Sequence, residues 1–519
     1  MTPHERTEQD SRFSRRTLLT LIAFITILTL SACGGQTATD SPAAQSTGVN
    51  IRIAGPFDVS TLDPANAASD LEAWVAGTLV FDRLFSLDAK GNLQLRLAAA
   101  PPLIDTTGRK VTLRLRPSLQ FHNGRALTSA DVAFTLERLK KSSASSQFGA
   151  ALANIEEIRT VDELTLELQL SQPHSALPAL LASPIFAIVP RSEILTSGNA
   201  FGILDVVGSG PFRIVEWNAG RNMRLARTAS AQDARAPSQV DTIELTFNVA
   251  SPVALDLFRN AQVDFAWFHP GVEELSALRQ DASMASVLHT TPSDAITLLW
   301  INPRSVSLSD MQLRRTIAAS IDRSAIAERT SNTHPADSLL IAADPSPIPS
   351  TSTTSTDISA TIRNSSAAVE LTLLSNEPPA AVSELVTQLE RTGFRIRLLR
   401  GAPSSHAGRI DDGSIDLIYA TQRTASPDPA ALFGFGPQCD QDELLTLCTA
   451  EISSLVQSAQ ALSFDSPDRA QLYRTAAQSV MTTGRVIPVL SFDLIHLCKG
   501  GTTSCSVDPQ LGLPILDVP

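Results

Sequence analysis

Residues 121–132 read FHNGRALTSADV and place a turn directly before a helix. Gly124 ends the turn, because glycine adopts a positive φ without the steric cost that other residues meet. Thr128 and Asp131 have the spacing of a capping box, in which two side chains satisfy free backbone N–H groups. Three apolar residues then share one face of the predicted helix: Val132, Leu136 and Leu139. The stretch therefore predicts a turn followed by an amphipathic helix that packs on a core.

Extended and helical patterns alternate along the rest of the chain. Alternating apolar and polar residues predict strands at 111–116, 164–170 and 243–249. Residues 369–420 read strand, helix, strand, strand, which is typical of an α/β lobe. The chain has 519 residues, whereas a single core rarely grows beyond about 300 residues. We therefore predict an α/β fold divided into two or three lobes.

The N-terminal region has the pattern of a secretory signal. Residues 17–30 are uncharged and nearly all apolar, and Arg12, Arg15 and Arg16 precede them. The apolar run is too short to cross a bilayer, which needs about 20 apolar residues. The arginine pair leaves both Sec and twin-arginine export open. An extracytoplasmic location is expected in either case.

A motif that resembles a lipid attachment site ends the apolar run. Leu30-Ser31-Ala32-Cys33 resembles the lipobox of bacterial lipoproteins, whose cysteine is lipidated and becomes the new first residue. Residues 1–32 are thus predicted to be a signal peptide. Residues 33–49, rich in small and polar residues, are predicted to be a flexible lipidated tether that anchors the protein to the cell membrane.

Composition and motifs argue against two other functional classes. The net charge of −12 does not favour a nucleic-acid surface. The chain contains no GxxxxGK[ST] phosphate loop, no GxSxG elbow and no HExxH motif. We therefore predict no enzyme activity, no cofactor and no metal. An exported hydrolase stays open as an alternative, because catalytic triads form in space rather than in sequence.

Four cysteines follow the leader: Cys439, Cys448, Cys498 and Cys505. An extracytoplasmic compartment permits disulfides, and four cysteines allow three connectivities. The local pairs Cys439–Cys448 and Cys498–Cys505 are the simplest arrangement. A zinc site is the alternative, and it lacks both CxxC spacing and a nearby histidine cluster.

Several motifs occur in order between residues 60 and 429. They are TLDPA at 61–65, FDRLF at 81–85, FHNGRALTSADV at 121–132, VGSGPF at 207–212, Asn302, Asp310, SIDR at 320–323 and Asp428-Pro429. Together they resemble the extracytoplasmic solute-binding proteins of peptide and nickel ABC importers, bacterial solute-binding protein family 5. Most of the motifs are turns and close backbone approaches, so they identify a fold better than a ligand.

The resemblance implies a two-lobed periplasmic-binding-protein-like fold with an extra subdomain. Two hinge strands near 296–302 and 485–494 would join the lobes. The expected boundaries are 50–84, 201–298 and 490–519 for lobe I, 85–200 for the extra subdomain packed on it, and 299–489 for lobe II. A disordered Ser/Thr-rich loop is predicted at 343–367 within lobe II.

The resemblance also implies a function. A monomer would trap a small peptide or peptide-like solute between its lobes and deliver it to an ABC permease in the membrane. A metal chelate, an opine or a glycan fragment stays open as the ligand. A surface receptor or sensor that keeps the fold without transport is the alternative function.

Five positions are candidates for the ligand site. In peptide-binding relatives a carboxylate three residues before the Asp of Asp-Pro pairs with the ligand's amino group, and this chain has Ala425 there. Asp428, or Asp416 after a loop shift, would have to replace it. Trp267 and Trp300 are candidate cleft aromatics, and Arg423 is a candidate partner for a ligand carboxylate.

Overall fold

The computed structural model describes residues 49–66, 71–88, 92–142, 152–204, 206–228, 240–339, 369–423, 428–433, 449–464, 466–499 and 505. The predicted signal peptide, Cys33 and the tether up to residue 48 lie outside these residues. So do the predicted Ser/Thr-rich loop, Ala425, Cys439 and Cys448. No helix among the described residues is both long and apolar enough to cross a bilayer.

Seventeen strands are present in the described residues. In chain order they are β1 Val49–Ala54, β2 Phe85–Leu87, β3 Leu93–Leu95, β4 Leu103–Ile104, β5 Lys110–Arg114, β6 Ile155–Asp162, β7 Thr165–Leu170, β8 Phe212–Asn218, β9 Asn222–Arg227, β10 Val240–Thr246, β11 Phe265–Trp267, β12 Leu288–Ile301, β13 Thr333–Pro335, β14 Glu370–Ser375, β15 Arg395–Arg400, β16 Leu417–Arg423 and β17 Val486–Cys498. The strands predicted at 111–116, 164–170 and 243–249 correspond to β5, β7 and β10.

Thirteen α-helices connect them in the part of the chain that the structure describes. They are α1 Leu71–Val80, α2 Ser129–Ser142, α3 Leu177–Leu180, α4 Arg191–Ser197, α5 Ser251–Arg259, α6 Val272–Gln280, α7 Ala282–Ala285, α8 Met311–Ser320, α9 Arg323–Ala327, α10 Pro379–Arg391, α11 Ala407–Asp411, α12 Ala450–Gln460 and α13 Pro467–Thr482. Helices and strands alternate over 369–423 as the sequence predicts, which confirms the α/β fold class.

One large mixed sheet carries both halves of the chain. Its strand order is β15-β14-β16-β12-β17-β11-β1-β10-β9-β8, and β13 also pairs with β17. Strands β12 and β17 have 14 and 13 residues, which makes them the longest strands described. They lie at the centre of the sheet, with β16 and β14 on one side and β11 and β1 on the other. They therefore have the position expected of two hinge strands.

The pairing of β12 with β17 is interrupted in the middle. Pro292 pairs with Asp493, but the next pair is Ile296 with Ser491, so β12 contains two extra residues there. Such a bulge bends a strand and breaks the regular hydrogen-bonded ladder. Ser293 lies in the bulge, and its hydroxyl accepts a hydrogen bond from the Ala295 N–H at 3.1 Å. The break separates the part of the pair beside β11 from the part beside β16.

The stretch at 121–132 forms the predicted turn and helix but only half of the predicted capping box, because the Thr128 hydroxyl donates to the Asp131 carboxylate at 3.3 Å instead of accepting from a backbone N–H. Gly124 has φ of 82°, and α2 begins at Ser129. The Asp131 carboxylate accepts from the Thr128 N–H at 3.1 Å and receives the Arg125 guanidinium at 2.8 Å. The predicted helix face is buried: Val132, Leu136 and Leu139 are at most 2% exposed. Asp131 therefore stabilises both the turn and the helix start.

A second motif packs directly against this turn. The His122 N–H donates to the Gly208 carbonyl at 2.8 Å, and its ring Nε2 donates to the Gly210 carbonyl at 3.0 Å. Burial is the main reason that the pKa of His122 is lowered. A Cβ on Gly208 would lie 1.9 Å from the carbonyl oxygen of Val80, so only glycine fits there. The close backbone approach predicted for VGSGPF is present.

Candidate functional site

Aromatic side chains pack together at the end of β11, beside the hinge strands. Trp267 pairs with His496 of β17 through the backbone. Its ring packs edge-on against Phe57 at 4.9 Å and against Phe265 at 5.2 Å. Gly55 allows this packing, because a Cβ there would lie 2.2 Å from the Phe57 ring. The partly exposed Trp267 ring is thus held rigidly by its neighbours.

Next to this aromatic group, three stacked rings extend from β11 across the hinge strands β17 and β12. His496 lies between Phe265 at 4.9 Å and His289 at 5.4 Å, with nearly parallel planes. Its Nε2 donates to the carbonyl of Cys505 at 2.9 Å. Burial lowers the pKa of His496 to about 4, and the neighbouring His289 acts in the same direction. The imidazole is therefore neutral at ordinary pH.

Cys505, whose carbonyl His496 contacts, is held by a disulfide bond. Cys498 and Cys505 are bonded to each other, which is the local pair that the sequence favours. Cys498 is the last residue of β17 and is 1% exposed. Among the described residues no group of three or more His, Cys, Asp or Glu side chains is arranged to hold a metal ion.

The last residues of β16 have one strand edge that pairs with no other described strand, on the other side of the hinge. Leu417 to Tyr419 pair with β14 on one side and with β12 on the other. From residue 420 to Arg423 the strand pairs only with β12 among the described residues. The Thr421 N–H on the free side donates to the Glu377 carboxylate at 2.6 Å. The edge is thus covered by a side chain instead of a strand.

Asp428 lies in a buried ion pair. Arg469 Nη2 donates to both carboxylate oxygens of Asp428, at 2.8 and 2.7 Å, and both residues are 5% exposed. The Asp428 carboxylate also accepts from the Ala430 N–H at 2.9 Å. Arg469 Nε donates to the Ser175 hydroxyl at 3.1 Å. Charge-assisted bonds of this kind are strong when buried and fully paired.

This ion pair joins two distant parts of the chain. Ser175 belongs to the segment predicted as the extra subdomain, and its N–H donates to the Gln460 carbonyl at 3.0 Å. The neighbouring His174 is 3% exposed. Burial lowers the pKa of His174 to about 4, and the Arg469 charge contributes in the same direction. One apolar cluster continues from this segment, at residues such as Leu177, into the segment predicted as lobe II, at residues such as Tyr473.

The structure separates the two candidate cleft tryptophans. Trp267 and His289 both pair with His496, so they lie at the same level of the sheet. Trp300 lies eleven residues further along β12 than His289. Eleven residues of extended chain span at most about 35 Å, and the bulge at Ser293 shortens this distance. Trp300 is 8% exposed and belongs to the apolar core. The two rings do not face one another across a small ligand.

The remaining candidates lie close together in sequence at the end of β16. Arg423 is the last residue of that strand and pairs with Ala295, and its side chain lies outside the described part of the structure. Asp428 follows after four residues that also lie outside it, among them Ala425. The sequence did not indicate Glu377, Arg469 or Ser175. Each acquires its role from a partner more than forty residues away, which no local pattern reveals.

The fold and this arrangement define a class of protein: a binding protein with two lobes joined by hinge strands. Residues 92–436 match the family model described as "Bacterial extracellular solute-binding proteins, family 5 Middle". The chain belongs to this family.

Relatives of known name are distant. The glutathione-binding protein GsiB of Pectobacterium atrosepticum is 25% identical over 267 residues, which is 51% of each chain. The probable deoxycholate-binding periplasmic protein YgiS of Escherichia coli K12 is 23% identical over 292 residues, 52% of this chain and 53% of YgiS. The matched part thus spans about half the length of these relatives.

Solved structures agree with the fold over nearly the whole chain. The binding protein AgaA from A. tumefaciens R10, in complex with agropinic acid, superposes with a TM-score of 0.74 at 18% identity, covering 89% of this chain and 96% of AgaA. DppA from Helicobacter pylori, in complex with the peptide STSA, gives 0.73 at 16% identity, covering 91% and 97%. The two-lobed periplasmic-binding-protein-like fold expected from the sequence is confirmed.

Proposed function

We propose that this protein is an extracytoplasmic substrate-binding protein that captures small peptides or peptide-like solutes and delivers them to an ABC import permease. The family match over residues 92–436 is the observation that carries the proposal. The two long central strands support it, because they connect two groups of strands through one interrupted ladder. Hinge closure around a ligand uses a connection of this kind. The proposed lobe boundaries are those expected from the sequence.

A peptide suits the free edge of β16. An extended peptide gains main-chain hydrogen bonds when it adds to an exposed strand edge. Residues 420–423 pair with no second strand among the described residues, and since the Thr421 N–H is already bonded to Glu377, a peptide would use the remaining main-chain groups of this edge. GsiB is named for binding glutathione, and DppA was solved with a peptide. AgaA was solved with agropinic acid, so an opine stays a candidate ligand.

The location forms a separate part of the proposal. A lipid on Cys33 would hold the protein on the outer side of the cell membrane, with residues 34–48 as a tether. Cell fractionation of the wild type and of Cys33→Ser tests this. The variant is expected in the soluble extracytoplasmic fraction, and a variant that stays in the membrane fraction would show that the anchor is wrong.

We propose a binding role rather than catalysis. The alternative is a non-transport receptor or sensor, and the alanine at position 425 favours it, since known peptide binders of this type carry a carboxylate there. Native mass spectrometry of residues 34–519, purified gently from the native host, distinguishes these functions. A bound mass that matches short peptides supports peptide capture.

The same experiment has outcomes against the proposal. A bound solute of another class would replace peptides as the ligand. A protein that stays empty after soaking in a peptide mixture would favour the non-transport receptor. Slow conversion of an added peptide into fragments would support a hydrolase instead.

A further inference from the structure

The Glu377 carboxylate is fixed at the free edge of β16. Its Oε1 accepts from the Thr421 N–H at 2.6 Å. The loop that carries it is also fixed, because the Glu377 N–H donates to the Ser375 hydroxyl at 3.1 Å. Arg400 donates to the Glu377 main-chain carbonyl at 2.7 Å rather than to its carboxylate. No contact to the second carboxylate oxygen occurs among the described residues.

A buried hydroxyl lies near the same carboxylate. Tyr419 is two residues before Thr421 on β16 and is fully buried, and its hydroxyl has no hydrogen-bond partner among the described residues. Burial raises the pKa of Tyr419, and the negative charge of Glu377 raises it further. The hydroxyl is therefore protonated. An unsatisfied buried polar group of this kind calls for an explanation, such as a bound water, local strain or a functional role.

The two other carboxylates near this strand are already used by the protein. Asp416 accepts from the Ser305 hydroxyl at 2.5 Å and from the Thr372 N–H at 2.8 Å. Asp428 is held by Arg469 through both oxygens. Both aspartates are at most 8% exposed, whereas Glu377 is half-buried. Neither aspartate can receive a ligand without breaking internal bonds.

We propose that Glu377 determines ligand specificity by binding a cationic group, an ammonium or a guanidinium, of a solute that lies along the free edge of β16. The inference rests on the proposed function and names the ligand class: peptides with a free amino group rather than blocked or anionic ones. The Thr421 N–H fixes one oxygen, so the carboxylate is already oriented when the ligand arrives. The second oxygen then accepts a charge-assisted hydrogen bond from the ligand.

Two variants separate this role from a structural one. Glu377→Gln keeps an oxygen for the Thr421 N–H and removes the charge. Glu370→Gln is the matched control, because it removes one negative charge from the exposed first residue of β14, about 23 Å away along the chain. The probes are an equimolar mixture of alanine peptides of two to five residues and the same peptides with acetylated amino termini. Binding is measured by native mass spectrometry and titration calorimetry.

The wild type and Glu370→Gln are expected to bind the free peptides and to discriminate against the acetylated ones. Glu377→Gln is expected to lose about tenfold or more in affinity for the free peptides, and to bind both kinds alike. An equal loss for both kinds would show a structural role and overturn the inference. Equal binding of both kinds by the wild type would overturn it while leaving peptide capture intact. Binding of neither kind by any variant would overturn peptide capture itself, and the inference with it.

Discussion

Single residues in this protein take their roles from distant partners. Asp428 belongs to the Asp-Pro motif of the family, yet its carboxylate is bound by Arg469, forty-one residues later in the chain. The sequence indicated the position and could not indicate the partner, since the pairing depends on how α13 packs. The same holds for Glu377 and Thr421, which are forty-four residues apart. Glycines in tight turns were predictable, because their requirement is local.

The Asp428–Arg469 pair is expected to be important for stability. Removing one member of a buried ion pair leaves the other charge buried and uncompensated, which typically destabilises by about 3–5 kcal/mol. Arg469→Met should lower the free energy of unfolding by that amount in urea titrations. Arg329→Met is the control, because its pair with Glu384 is 61% exposed on the arginine side and should contribute less than about 1 kcal/mol. Equal effects of the two substitutions would contradict the prediction.

Two buried histidines are expected to make the protein sensitive to acid. The pKa values of His174 and His496 are about 4 in the folded protein, below the 6.5 of an unfolded histidine. The unfolded chain therefore binds protons first, and the free energy of unfolding falls as the pH falls from about 6.5 towards 4. The loss reaches on the order of 3 kcal/mol for each histidine.

Denaturant titrations at several pH values measure this effect. His174→Gln and His496→Gln should each flatten the slope between pH 6.5 and 4, and the double variant should flatten it further. Other groups contribute equally to wild type and variants, so the comparison isolates the two rings. A slope that is unchanged in the double variant would show that the histidines are not responsible.

At the scale of elements, the sequence predicted strands and helices well and their interruptions poorly. The hinge strands were expected near 296–302 and 485–494, and β12 and β17 cover 288–301 and 486–498. The bulge at Ser293 was not predictable, because it depends on the register between two strands almost 200 residues apart. Periodicity describes one strand at a time, whereas a bulge is a property of a pair.

Two glycines test the importance of close approach between elements. Gly208→Ala would place a Cβ 1.9 Å from the Val80 carbonyl oxygen, so backbone must move. We expect it to destabilise by about 3 kcal/mol or more. Gly77 lies in α1, and a Cβ there would have no heavy atom within 4 Å. Gly77→Ala should therefore stabilise the folded protein by about 0.5–1 kcal/mol. Thermal unfolding of both variants measures the difference, and effects of the same sign would refute the argument.

At the scale of the whole molecule, the lobes should move about the hinge strands when a ligand binds. The Ser331 hydroxyl donates to the Pro270 carbonyl at 2.5 Å, which joins the two predicted lobes beside β13. Small-angle scattering should show a smaller radius of gyration with a bound ligand than without it. A peptide that does not bind, at the same concentration, is the control. An unchanged radius with a ligand that demonstrably binds would refute hinge closure.

The fold class and family could be predicted from the sequence because turn and cap motifs recur in a fixed order. The ligand site could not, since it combines side chains from distant segments. Trp267 and Trp300 illustrate the limit: both are scarce aromatics, and the strand register places Trp300 eleven residues along β12 from the position level with Trp267. The presence of a tryptophan in the sequence shows neither which way its side chain points nor how far it lies from the other aromatic residues.

The central position of β17 also has a consequence for biogenesis. The last strand described, β17, lies between β12 and β11, so it joins the two halves of the sheet. During synthesis this strand leaves the ribosome after every other strand described. Contacts between residues so far apart in sequence form slowly. The sheet therefore stays incomplete until β17 has been synthesised, and a chaperone or a translocase has that interval in which to engage the nascent chain.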